Sequence, residues 1–285
     1  MSDFAALLGV KGGPAIRPGS AMPTSSLLSL GGRRIVVDCG LGVSRGLIDQ
    51  GMALADLDLV FVTHLHSDHT LELGPLLHTA WTAGLKRPAR VFGPAGLADY
   101  WAGFLAAMAY DIDLRIADEG RPDLRGLVTL HALAEGDVLR EPGLAVRAIR
   151  TLHPPVADSF ALRFETPGRT VVMTGDTAPH PPLAGFARGA DLLVCEAMLL
   201  PAVDALVARV GNGDDRLKRH LLRSHMPAAE AGRLAAEAGA GALALHHLIP
   251  ADDPAWGPAD WEAAVRETWA GPLHLGRDGL RIPLG

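Results

Sequence analysis

His64, His66, Asp68 and His69 stand within one short run of a 285-residue chain that carries 12 histidines. Three imidazoles and a carboxylate on one loop repel or stay unsatisfied unless a cation takes their lone pairs. Neutral imidazole with carboxylate suits a borderline ion such as Zn²⁺. Alternation lets His64 and His66 point one way while Asp68 and His69 turn toward a neighbouring position, which predicts two adjacent half-sites. A histidine-rich turn without metal is the plainer reading of the same residues.

A loop of this kind needs rigid elements beneath it. Leu57 to Thr63, directly before the histidines, is a near-continuous apolar run and reads as a strand covered on both faces. Ser26 to Leu30 and Arg34 to Asp38, separated by Gly31-Gly32, read as a hairpin. Helices are expected over Leu71 to Ala83, Gly96 to Ala109, Pro227 to Ala238 and Ala259 to Trp269. Further strands are expected over Arg90 to Phe92, Leu127 to Leu130, Leu144 to Ile149, Ser159 to Glu165, Thr170 to Thr174, Asp191 to Cys195, Ala242 to Leu245 and near Leu280. Asp111 to Arg125 is polar, contains Gly120 and Pro122, and reads as a mobile loop or lid. Strands and helices thus alternate in two batches. The expected architecture is α/β, a four-layer αββα sandwich, with residues 1–285 forming one domain of two αβ halves.

Composition narrows the function. With 48% hydrophobic residues the chain can bury a large core, and 26 Lys+Arg against 32 Asp+Glu give a net charge of -6, which disfavours a bulk polyanion partner. Two cysteines, Cys39 and Cys195, are too few for a disulfide framework and suit a reducing compartment. The N-terminus lacks the order of a secretory signal and no apolar run reaches the ~20 residues a bilayer requires. The expectation is a cytoplasmic protein with no membrane association.

The run His64-Leu65-His66-Ser67-Asp68-His69 resembles the HxHxDH motif of the metallo-β-lactamase superfamily. The resemblance extends over nearly the whole chain. It implies that His153 is the third histidine of a first metal site and that Asp176, in Thr174-Gly175-Asp176-Thr177, bridges two metals. It also implies that His247, in Leu245-His246-His247-Leu248-Ile249-Pro250, is the last ligand of the second site. His246 competes with His247 for that role, and the Leu248-Ile249-Pro250 that follows favours His247.

Within the superfamily the chain is more similar to the ribonuclease Z, phosphodiesterase and arylsulfatase-like branch. Thr63 to Leu73 (THLHSDHTLEL), Asp191 to Ala197 (DLLVCEA) and Ser224 to Gly239 (SHMPAAEAGRLAAEAG) carry that likeness. It adds His225 as a residue facing the scissile group, with Glu196 fixing its tautomer. Arg216, Lys218, Arg219 and Arg223 upstream would lend positive charge to a developing anion, or be no more than a solvated basic segment. Asp38 would orient the metal loop from beneath or serve a structural turn. The Gly-rich opening from Gly9 to Ser26 is similar to the branch's loop bordering the cleft.

The resemblance implies a hydrolase with two divalent ions, most readily Zn²⁺ with Mn²⁺ or Fe as alternatives. A metal-bridging hydroxide would attack the ester, with Asp68, His225 and Glu196 as catalytic residues. Long forms of ribonuclease Z carry a tRNA-gripping arm between the third histidine and the bridging aspartate. Only a short loop and two strands fit between Pro154 and Gly175 here. With the acidic charge, that absence makes tRNA an unexpected substrate. A small anionic ester, phosphodiester or aryl sulfate, is the expected one. The alternatives are a lactonase or carboxylic-ester hydrolase on the same dimetal site, an RNA 3′-end nuclease, and a metal-binding scaffold without activity. Specificity is expected to sit in the Gly-rich opening and in Asp111 to Arg125. A homodimer is only what the resemblance implies.

Overall fold

The computed structural model describes residues 2–285, so Met1 lies outside the described residues. The first run of elements is β1 (Phe4–Gly9), β2 (Ser25–Leu30), β3 (Arg33–Cys39), α1 (Val43–Asp49), β4 (Leu59–Phe61), α2 (Ser67–Thr70), α3 (Leu73–Thr82), β5 (Ala89–Gly93), α4 (Leu97–Ala107), α5 (Ala109–Glu119) and β6 (Val128–Ala132). The second is β7 (Gly136–Glu141), β8 (Leu144–Arg150), β9 (Phe160–Glu165), β10 (Thr170–Met173), α6 (Pro182–Phe186), β11 (Leu192–Met198), α7 (Val203–Val210), α8 (Arg216–Ser224), α9 (Ala228–Ala238), β12 (Leu243–Ile249), α10 (Pro258–Arg266), β13 (Leu273–Leu275) and β14 (Leu280–Pro283).

Two seven-stranded mixed sheets result, in the orders β14-β1-β2-β3-β4-β5-β6 and β13-β12-β11-β10-β9-β8-β7. Each is antiparallel at one side and parallel at the other, the change falling at β3/β4 in the first and β10/β11 in the second. Consecutive strands make the antiparallel pairs except β1–β14, which joins the two ends of the chain. The β2–β3 turn is Gly31-Gly32, both with positive φ (54° and 78°), the left-handed pair that a two-residue hairpin turn requires. Parallel neighbours need crossovers, and the helices that supply them cover the outer faces.

The inner faces of the two sheets meet in one core, where Leu7, Leu28, Ile35 and Phe61 of the first face Val146, Phe160, Phe164 and Val172 of the second. Phe61 stacks on Phe92 at 4.7 Å and meets Phe164 edge-on at 5.3 Å, an aromatic contact that crosses from sheet to sheet. A second core lies between the outer face of the first sheet and the helices, with Val36, Val60, Leu73, Leu77 and Trp81 buried. The α/β sandwich read from the sequence is the architecture observed. Among the described residues, no helix is long and apolar enough to cross a membrane.

The sequence reading has no element at α1, β7, α6, α7 and β13, and three further segments differ from it. Residues 111–119 of the polar loop expected over Asp111 to Arg125 belong to helix α5, which Gly120 in the left-handed conformation ends. Salt bridges from Arg115 to Asp111 and Glu119 hold it, and Arg125 pairs with Asp113. Its polarity marks a helix exposed on most sides rather than a lid. Phe4–Gly9, given no element in the sequence reading, is a fully buried strand between β2 and β14. The basic stretch at 216–224 is α8, whose Leu217 and Leu221 pack with α7 and Ile249 in a small satellite core.

Candidate metal centre

The carboxyl ends of β3, β4, β10, β11 and β12 converge at one edge of the sandwich, and the histidines sit there. After β4 the chain is held by Val62 N–H to the Phe92 carbonyl at 2.7 Å. Thr63 is fixed beneath by Asp38, whose carboxylate accepts the Thr63 N–H at 2.8 Å and its hydroxyl at 3.0 Å. Asp38 has positive φ (60°), which turns its side chain back under the loop. The same carboxylate accepts from His69 Nδ1 at 2.8 Å. That bond fixes the tautomer and leaves the Nε2 lone pair pointing away from Asp38.

His64 Nε2 and His153 Nε2 lie 3.0 and 3.1 Å from His66 Nδ1. One ring position cannot serve both as hydrogen-bond partners in full. His153 Nδ1 is committed to the Ser224 carbonyl at 2.9 Å, so its Nε2 is the free nitrogen. Asp176 Oδ2 stands 3.6 Å from His64 Nε2 and 3.8 Å from His153 Nε2. The same Oδ2 is 3.2 Å from His247 Nε2, which is 3.2 Å from Asp68 Oδ2. His69 Nε2 completes this second group, 3.4 Å from Asp176 Oδ1 and 3.7 Å from Asp68 Oδ2. Asp176 therefore reaches both clusters.

The residues fit two metal ions. His64, His66, His153 and Asp176 present ligand atoms within 4.8 Å of one another, as do Asp68, His69 and His247. Tetrahedral ligands at ~2.1 Å from zinc would be spaced about 3.4 Å apart, which is the spacing found. His69 Nε2 and Asp176 Oδ1 are buried and make no hydrogen bond. Buried polar atoms left this way call for an unseen partner.

Electrostatics agree with a cation site. Burial would raise the Asp176 carboxyl, yet His247, His69 and His64 hold it well below its ordinary range. Burial likewise opposes ionisation of Asp68, and His69 and His247 outweigh it. Burial, with His69 beside it, pushes His64 far below the usual imidazole value, so it stays neutral and able to ligate.

His246 and His247 part company at β12. The β11–β12 register shifts between Glu196 and Ala197, and His247 takes positive φ (43°). Neighbouring side chains of a strand already point to opposite faces, and the bulge leaves His247 as the extra residue without a β11 partner, free to be re-aimed by its positive φ. His247 turns to the aspartates, while His246 Nε2 bonds the Gly9 carbonyl at 2.9 Å and burial depresses it to about 4. Gly12 and Gly13 close over this side. Gly13 N–H donates to Asp68 Oδ2 at 2.7 Å, and a Cβ on Gly12 would stand 2.9 Å from His247 Cε1.

His225 ends α8, and its ring stacks on that of His247 at 5.5 Å. Its Nδ1 lies 2.8 Å from Glu196 Oε2, and Glu196 Oε1 accepts the Thr177 N–H. A cavity of about 520 Å³ opens over the centre, walled by Lys11 to Arg17 of the N-terminal loop on one side and by Leu206, Val210, Leu217 and Leu221 of α7 and α8 on the other. The Gly-rich opening borders the cavity as expected, whereas the stretch from Asp111 to Arg125 does not line it. A second hollow of about 430 Å³ is shared by His66, Pro155, Arg216, Arg219, His220 and Arg223.

All nine residues named from the sequence, His64, His66, Asp68, His69, His153, Asp176, Glu196, His225 and His247, are thus brought to one centre. Sequence reasoning missed His220, Lys11 and the α7 wall. His220 lies five residues before His225 on α8 and its ring is 5.7 Å away. The helical spacing of Leu217 and Leu221 around it was the available signal.

The chain matches the family described as Anti-Pycsar protein Apyc1 over residues 7–222. It is 34% identical over 280 residues to the protein named Ribonuclease Z of Mycobacterium marinum, an alignment taking in 97% of this chain and 96% of that one. Among solved structures it is similar to the metallo-β-lactamase fold protein YhfI from Bacillus subtilis, with TM-score 0.70, 22% identity and 99% of both chains covered. It is similar also to the short form of human tRNase Z, with TM-score 0.69, 20% identity and 99% of both chains covered.

Proposed function

This chain belongs to the ribonuclease Z branch of the metallo-β-lactamase superfamily and to the family described as Anti-Pycsar protein Apyc1, and on that premise we propose that it is a dinuclear metal-dependent phosphodiesterase. The observation that carries the reading is Asp176, placed within 3.8 Å of ring nitrogens from both histidine clusters. His64, His66 and His153 would hold one ion, Asp68, His69 and His247 the other, and Asp176 both. Zn²⁺ suits the donor set, with Mn²⁺ or Fe as alternatives. When bound, two such ions supply Lewis acidity and lower the pKa of water toward ~7, so that a hydroxide nucleophile exists at neutral pH.

The protein's own residues do the rest. Asp68 ties the Gly13 backbone to the centre and so sets the cavity wall. Glu196 accepts a hydrogen bond from Nδ1–H of His225 and so turns Nε2 of that ring to the cavity, where the doubly protonated ring can pass its Nε2 proton to a leaving alkoxide and be left neutral with Nδ1–H still on Glu196. The apolar wall from α7 and α8 excludes water from that transfer.

The relatives named Ribonuclease Z support the phosphodiester as the bond, since that is the linkage of RNA. Aryl sulfates remain within the proposal as related anionic esters. Lactones and other carboxylic esters are rivals on the same centre. The test is metal stoichiometry with initial rates on bis(4-nitrophenyl) phosphate, 4-nitrophenyl sulfate and a simple lactone. Two ions per chain with the diester fastest is expected. A faster lactone overturns the bond assignment, and a chain without metal or turnover overturns the whole reading.

RNA 3′-end cleavage is a second reading with observations of its own. Between Pro154 and Gly175 lie only a turn and β9 and β10, with no room for an arm. The Mycobacterium marinum relative, however, aligns with this chain over nearly its full length, so it carries no long insertion either and is still named Ribonuclease Z. Arg216, Arg219 and Arg223 beside His66 would suit a polynucleotide backbone. Steep salt dependence of RNA binding would favour this reading. The proposal also includes cytoplasmic residence, in keeping with free buried Cys39 and Cys195, and a homodimer, checked by sedimentation.

A further inference from the structure

Lys11 is the one lysine of three that is buried, its side chain 6% exposed, and it lines the cavity two residues before the glycine bonded to Asp68. Its ammonium makes one hydrogen bond, to the Gly12 carbonyl at 3.2 Å. The nearest carboxylate oxygen, Asp252 Oδ2, is 3.7 Å off and is already held by Arg17 at 3.0 Å. The other oxygen of Asp252 is taken by Arg209 at 3.0 Å, and Arg209 also contacts Asp253 at 3.3 Å.

Three cations from the N-terminal loop and α7 thus share two carboxylates. Asp68 is the further carboxylate that acts on Lys11, and its Oδ2 is engaged by Gly13 N–H and His247, so one positive charge of this cluster is left without a carboxylate of its own, in a corner open to the cavity. Burial disfavours an ammonium so poorly compensated, and its pKa is indeed lowered by that burial. A clamp built only to fasten the loop would do better with matched charges or an apolar side chain. Lys11 also has two N–H donors to spare, and with Arg17 it faces the apolar wall of Leu206, Val210 and Leu217 across the cavity.

We propose that Lys11 and Arg17 form a second anion subsite, which selects phosphodiesters carrying a further phosphate remote from the scissile one. The scissile group would lie at the histidine clusters, the intervening apolar portion against α7 and α8, and the remote phosphate at Lys11 and Arg17. The inference rests on the phosphodiesterase reading and names its substrate class.

The test is calorimetric titration of the metal-loaded protein with adenosine 3′,5′-bisphosphate, adenosine 5′-monophosphate and adenosine 3′-monophosphate. The wild type is expected to prefer the bisphosphate over either monophosphate by about tenfold or more, the scale of one charge-assisted hydrogen bond. Lys11→Met should bring that ratio to about twofold, and Arg17→Gln should lower it in part. Arg17 is 37% exposed, so its variant reads the subsite even where Lys11→Met fails to fold. Equal affinity for all three ligands in the wild type, or an undiminished ratio in both variants, overturns the subsite. Hydrolysis of bis(4-nitrophenyl) phosphate is measured in parallel. Turnover without the bisphosphate preference removes the subsite and leaves the function, whereas the preference without turnover removes the function alone.

Discussion

Glu196→Gln isolates the positioning of His225 from the metal centre itself. Glu196 is buried at the end of β11, with Oε1 on the Thr177 N–H and Oε2 2.8 Å from His225 Nδ1. Glutamine keeps an acceptor for Thr177 and so preserves the turn after β10. Its amide N–H₂ then meets Nδ1, which can no longer donate there, and the ring must change tautomer or lose the bond. One charge-assisted hydrogen bond is worth about 1.5–3 kcal/mol, and carboxylates behind functional imidazoles are worth about 10- to 100-fold. The loss should depend on the leaving group. Thymidylyl-(3′,5′)-thymidine, which expels an alkoxide, should lose about 10- to 100-fold in kcat/KM. Bis(4-nitrophenyl) phosphate expels a stable phenolate and should lose roughly threefold or less. His225→Ala should follow the same pattern with a larger loss, about 10²- to 10⁴-fold on the dinucleotide. In the His225→Ala background, Glu196→Gln should then cost nothing more. Metal content is the control, because Glu196 Oε2 is also 3.6 Å from His247 Nδ1. Equal losses on both substrates, or losses that multiply in the double variant, would refute a Glu196 that acts through His225.

Three further outcomes follow from the geometry. Asp38→Asn keeps one acceptor for the Thr63 N–H and turns an amide N–H₂ toward His69 Nδ1, so affinity for one of the two ions should fall about 10- to 100-fold, read as metal retained per chain after dialysis against graded chelator. Gly12→Ala places a Cβ 2.6 Å from Ile249 Cγ1 and 2.9 Å from His247 Cε1, so it should cost about 1–3 kcal/mol by overpacking and release the ion that His247 would bind, measured by urea unfolding and metal analysis together. Chelator treatment should lower Tm by about 5–10 °C for each ion held at ~100 times its Kd, by scanning calorimetry, and an unchanged Tm would deny that ions bind the folded state.

Much of this molecule was legible in the sequence because its central strands, such as β4, β11 and β12, are buried on both faces. Runs such as Leu57 to Thr63 and Ala242 to Leu245 read as core, and the histidines that follow them read as a site. Elements whose role is set by distant partners were not legible. Phe4–Gly9 is a strand because β14, some 270 residues away in sequence, pairs with it. The α5 helix carries so many charged residues, and ends so near Gly120 and Pro122, that its apolar residues gave a weak period. Along α8 the sequence showed four basic side chains, and the fold showed which positions turn inward: Leu217, His220 and Leu221 toward the cavity, Arg219 toward Asp215. The choice of His247 over His246 rested on a resemblance. In the structure a bulge and one positive φ separate the two.

The centre gathers its groups from residue 13 to residue 247, and β1, which leads into the Gly12-Gly13 wall, is itself completed by a strand at residues 280–283. The first αβ half alone supplies His64, His66, Asp68 and His69, but Asp176 and His247 come from the second half and β14 from beyond it. On the proposed reading, high-affinity metal capture therefore waits for both halves to fold against each other. The sheets themselves close through strand pairing, so on the same reading solubility on expression would be a poor guide to loading.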